Sequence, residues 1–94
     1  MHTRDVESAA FRLAQGAALR SIRKRVGLTQ KELAEKLGYA SHSYISEVEA
    51  GKKPASSAML YKLYAVLNVS IDAFFDSVLT SLTPAGGKEG EDNE

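Results

Sequence analysis

The chain has 94 residues, 44% of them hydrophobic and 26% charged, with 12 basic against 12 acidic side chains and no cysteine. That length suits one small domain and excludes a Rossmann fold, a TIM barrel or a two-domain enzyme. Without thiols there is no disulfide, thiolate zinc site or redox motif; no apolar run approaches the ~18 residues of a membrane span, and the charged start MHTRDVE lacks a signal peptide's apolar stretch, so a cytoplasmic location is expected.

The zero net charge hides an asymmetry. Between Arg20 and Lys53 stand eight basic residues (Arg20, Arg23, Lys24, Arg25, Lys31, Lys36, Lys52 and Lys53) against four glutamates. From Thr83 onward Lys88 faces Glu89, Glu91, Asp92 and Glu94. A basic middle with an acidic tail suits an anionic partner better than the total implies.

Strand signals are missing, and helical periodicity recurs along the chain, so an all-α domain is expected. The first helix is expected from about Ala9 to Val26, with Leu13, Ala17 or Ala18, Leu19, Ile22 and Val26 on one face. Gly16 inside it costs about 1 kcal/mol relative to alanine, and the residues before Ala9 either extend the helix or form a separate turn. Gly27 ends it. Thr29-Gln30-Lys31-Glu32 reads as a capping box opening a second helix, Gln30 to Leu37, with Leu33, Ala34 and Leu37 inward. After Gly38, Ser41 or Ser43 is expected to cap a third helix reaching about Ala50, with Ile45 and Val48 inward. Gly51 ends it, and Lys52, Lys53 and Pro54 make a basic loop. Ser56 or Ser57 starts a fourth helix to Leu67, with Leu60, Leu63, Tyr64 and Leu67 inward. Ser70 caps a fifth, with Asp72 in its first turn as the helix dipole favours. The expected organisation is an N-terminal extension over residues 1–8, one domain over 9–82, and a disordered acidic tail over 83–94.

The stretch TQKELAEKLGYASHSYISEVEAG, Thr29 to Gly51, is two short helices joined by a tight glycine-containing turn. A helix as short as Gln30 to Leu37 cannot stand alone and must pack on its neighbour. This is a helix-turn-helix, whose second helix enters a DNA major groove.

On these residues the chain resembles the phage-repressor and Cro-like helix-turn-helix regulators, the XRE family. The strings that carry the resemblance are LRSIRKRVGLTQKELAEKLG, YISEVEAGKK and LYKLYAVLNVSIDAFF, covering about Leu19 to Phe75. It departs from the family pattern in one place: six residues, Tyr39 to Tyr44, separate Gly38 from Ile45 where five are usual, so the turn near Ala40 is longer and the first recognition-helix residues are open by one position.

The resemblance implies a five-helix repressor-like domain that regulates transcription as a homodimer on double-stranded DNA with a palindromic operator. Gln30 is then a phosphate contact. His42, Ser43, Ser46 and Glu47 face the groove, Glu47 accepting from a cytosine amino group and His42 donating to a guanine or a phosphate, and Ser41 is a further DNA-binding residue. Tyr44 lies near the edge, within reach of a phosphate or a thymine methyl. Lys52 and Lys53 are backbone contacts. Arg23 and Glu49 occupy positions that pair in the family as a partly buried salt bridge.

For the dimer, Ile71, Phe74, Phe75, Val78, Leu79 and Leu82 form a stripe over three turns, of which Phe74, Phe75, Val78, Leu79 and Leu82 are the expected interface. In the competing arrangement the end of this helix frays or folds back on the first. A second functional reading is an antitoxin-type module that binds a partner protein and autoregulates its operon. No enzyme, cofactor, metal site or membrane association is expected: His2 and His42 have no ligand spacing, and no catalytic constellation appears.

Overall fold

The computed structural model describes residues 2–82, with side chains from residue 9 onward; the tail expected over 83–94 lies outside the described residues. Five helices follow in order: α1 (His2–Arg25), α2 (Gln30–Leu37), α3 (Ser43–Glu49), α4 (Ser57–Leu67) and α5 (Ile71–Leu82). No strand occurs among the described residues. The residues before Ala9 extend α1 rather than forming a separate turn.

One core unites all five helices. Ala14, Ala18, Leu19 and Ile22 of α1 meet Leu33, Ala34 and Leu37 of α2, Ile45 and Val48 of α3, Met59 and Leu63 of α4, and Phe74 and Val78 of α5. The buried face of α1 therefore runs through Ala14 and Ala18, and the expected inward positions Leu13 and Val26 are 59% and 43% exposed. Small residues explain the rotation: α1 touches both α3 and α5, and its alanines and Gly16 let two helices approach it. In α4, Met59 and Leu63 point inward, while Tyr64 is exposed because α5 packs chiefly along α1 and leaves that face of α4 uncovered.

The same packing corrects the expected dimer stripe. Phe74 and Val78 are each 1% exposed within the single chain. α5 packs chiefly along α1, and both residues belong to the core, so they are not available to a second copy. The stripe residues left outside are Ile71, Leu79 and Leu82, with Phe75 half-buried and its ring stacked on that of Phe11 at 6.5 Å.

Candidate nucleic-acid interface

The capping box at the start of α2 is formed: the Glu32 amide donates to Thr29 Oγ1 at 3.0 Å, and the Thr29 amide to Glu32 Oε1 at 2.9 Å. Gly38 adopts a left-handed conformation (φ 82°) and closes the helix. The turn runs on through Tyr39, Ala40, Ser41 and His42 before α3 begins at Ser43, so the additional residue is absorbed in the turn. Neither expected serine occupies the cap of α3. His42 does, with no side-chain cap bond, while Ser41 Oγ takes the Ser43 amide at 3.2 Å.

With only seven residues, α3 depends on its neighbours for its orientation. Its C-terminal end is fixed against α1. The Arg23 guanidinium donates to Glu49 through Nε–Oε2 at 2.6 Å and Nη2–Oε1 at 3.0 Å, and its Nη1 reaches the Leu28 carbonyl at 2.8 Å. The two side chains are 11% and 5% exposed. The hydrogen bond to Glu49 raises the Arg23 pKa above its ordinary value, with burial opposing and the glutamate's charge adding. Gln30 Nε2 donates to the same carboxylate at 3.0 Å, which ties the start of α2 into the bridge. Alongside, Gly16 brings the α1 backbone against the carbonyls of Val48 and Glu49; a Cβ there would lie 2.6 Å from the Glu49 oxygen.

These anchors turn Ile45 and Val48 inward and leave the opposite face of α3 to solvent. Ser43 is exposed there, Ser46 and Glu47 are half-buried, and Ser41 and His42 are exposed in the turn above. The Glu47 carboxylate is met by Lys53 Nζ at 3.1 Å. Lys52 is exposed, and its ammonium has no hydrogen-bond or ion-pair partner among the described residues. Tyr44 is half-buried; its hydroxyl donates to the Pro54 carbonyl at 2.8 Å and accepts the Ser56 amide at 3.0 Å. Its ring meets that of Tyr39 edge-on at 5.5 Å, and Lys62 Nζ lies 4.0 Å above the Tyr39 ring. Burial pushes the Tyr39 hydroxyl's pKa up, with Tyr44 adding and a hydrogen bond to Ser56 opposing.

Residues 19–74 match a helix-turn-helix family model. The chain belongs to the XRE-type helix-turn-helix family. It shares 40% identity over 63 residues with the HTH-type transcriptional regulator PuuR of Escherichia coli, covering 67% of this chain and 34% of that protein. The propionyl-CoA carboxylase regulator of Cereibacter sphaeroides is 39% identical over 62 residues, 66% of this chain and 13% of its own length. The competence pilus inhibition repressor of Acinetobacter baylyi is 40% identical over 60 residues, 64% of this chain and 54% of its own. This chain thus spans about half or less of the curated relatives it matches. The solved structure of the clp gene regulator ClgR from Corynebacterium glutamicum superposes with a TM-score of 0.72 at 36% identity, over 85% of this chain and 84% of that one. The chain is therefore a member of a family of DNA-binding transcriptional regulators. No single helix among its described residues is long and apolar enough to cross a membrane.

In this XRE-type domain several structural residues escaped the reading of the sequence. Gln15 is 4% exposed and its Oε1 accepts the Ala55 amide at 2.6 Å, joining α1 to the loop after α3. Arg12 Nε reaches the Gly51 carbonyl at 3.2 Å. The signal for Gln15 is its place beside Ala14 and Ala18 on an otherwise apolar face. Nothing in the sequence marks Lys62 as a partner of Tyr39.

Proposed function

We propose that the chain regulates transcription by binding a palindromic operator as a homodimer, with α3 of each copy in the major groove. The observation that carries this reading is the fixed polar face of α3. The Arg23–Glu49–Gln30 network holds the helix at one end, and the turn presents Ser41 and His42 beside Ser43, Ser46 and Glu47. Base edges are read by Glu47, Ser46, Ser43 and His42, while Gln30, Lys52 and Lys53 contact the backbone on either side. Gln30 gives one amide hydrogen to Glu49 and keeps the other for a phosphate.

Binding selection on random double-stranded DNA tests this, with the selected motif re-measured for variants. Glu47→Ala is expected to relax preference at one base position by about 1–3 kcal/mol per half-site. Its pair with Lys53 is exposed and is worth about 0–1 kcal/mol, so melting should change little. A motif left unchanged by every substitution on the outer face of α3 refutes the reading.

A further inference from the structure

The loop from Gly51 to Ser56, which joins α3 to α4, is bound down almost residue by residue. The Gly51 carbonyl accepts from Arg12 Nε. The Lys52 and Lys53 amides turn back to the Glu47 carbonyl at 2.9 and 3.4 Å, and Lys53 Nζ pairs with the Glu47 carboxylate. The Pro54 carbonyl and the Ser56 amide are bridged by one atom, the Tyr44 hydroxyl oxygen. Between them the Ala55 amide is taken by buried Gln15. The Lys52 ammonium stands clear of this network. A hydroxyl has one proton to give, and that of Tyr44 goes to Pro54. It cannot also donate to a DNA phosphate without releasing the loop.

We infer that Tyr44 is a positioning residue for the backbone contact of Lys52 and does not itself touch DNA. Holding the loop in one conformation before binding removes the ordering cost that a mobile lysine arm would meet on the duplex. Gln15 supports the same loop from α1. The inference rests on the reading of Lys52 as a phosphate contact. Its test separates the two.

Operator affinity is measured against salt concentration for the full-length wild type, Lys52→Ala, Tyr44→Phe and the double variant, with thermal melts to confirm folding. Lys52→Ala should lower the slope of log K against log salt by about one unit per half-site. Tyr44→Phe keeps the ring and removes the hydroxyl. It should weaken binding roughly fivefold, within what loss of the hydroxyl's two hydrogen bonds allows, should lower the salt slope in the same direction, and should speed hydrogen exchange at the Ser56 amide. The double variant should bind no more weakly than Lys52→Ala alone. Additive losses mean that Tyr44 contacts DNA directly and overturn the inference. So does an unchanged salt slope in Tyr44→Phe while Lys52→Ala behaves as expected. If Lys52→Ala leaves the slope unchanged, the phosphate reading of the basic loop fails first, and the inference falls with it. Should Tyr44→Phe melt below the assay temperature, Gln15→Met takes its place, since it removes the Ala55 anchor from the far side of the loop and must show the same non-additivity with Lys52→Ala.

Discussion

Glu49 concentrates the constraints on α3. Its carboxylate receives three donors, two from Arg23 and one from Gln30, at 5% exposure. Removing Arg23 leaves a buried carboxylate without its counter-charge, which costs about 3–5 kcal/mol in comparable pairs. Arg23→Ala should therefore melt well below the wild type in chemical denaturation; an unchanged midpoint would show that the bridge contributes nothing. Gly16 is the second such residue. From the sequence it looks like a liability of about 1 kcal/mol inside a helix. In the structure a Cβ would run into the backbone carbonyls of α3, which cannot swing aside as a side chain can. Gly16→Ala should thus destabilise by about 1–3 kcal/mol, as overpacking does, although alanine is the better helix former; a more stable Gly16→Ala protein would refute the close approach. The cost of glycine was legible in its residue type. The reason for it was not, because the neighbour lies more than thirty positions along the chain.

At the scale of elements, α2 and α3 owe little to their own length. Eight and seven residues are too few for a helix to persist in water, so local caps and tertiary packing supply what propensity does not. Thr29→Ala removes the acceptor for the Glu32 amide and breaks the reciprocal capping box. The expected loss is about 1 kcal/mol, read as a lower denaturation midpoint with an unchanged slope; a midpoint equal to the wild type would mean that water replaces the cap. This capping box, the helix end at Gly38, and the inward Leu33, Ile45 and Val48 could be read from the chain because each is a short-range pattern. The start of α3 could not. Family spacing left its first turn open by one residue, and around that turn Tyr39 packs edge-on against Tyr44 with Lys62 of α4 above its ring. Those contacts span three elements and leave no periodic trace. The hydroxyl of Tyr44, legible only as an edge group near DNA, is committed to the loop behind it.

For the whole molecule, the proposed homodimer needs a face on which two copies meet. The stripe on α5 was legible as apolar, but period alone does not tell which of its residues a single chain buries. Phe74 and Val78 are buried in the core of the single chain, so Val78→Glu would put a charge in the core and unfold the monomer, which makes it useless as a probe of assembly. Ile71, Phe75, Leu79 and Leu82 repeat at intervals of four, four and three residues along the outer side of α5, and Leu79 and Leu82 are 59% and 39% exposed. A two-fold pairing of this outer face would bury it isologously, and placing two recognition helices about 34 Å apart would match half-sites one turn of DNA apart. Glutamate at Leu79 and Leu82 reaches solvent in the monomer, so Leu79→Glu with Leu82→Glu should leave the melting cooperative. The variant should sediment at half the mass of the wild type. On the proposed dimer, its affinity for the full operator should fall to near that for an isolated half-site, because the second domain would no longer bind at the effective concentration that pairing supplies. A variant that remains dimeric places the interface elsewhere, and a monomeric variant with undiminished full-site affinity removes dimerisation from operator recognition.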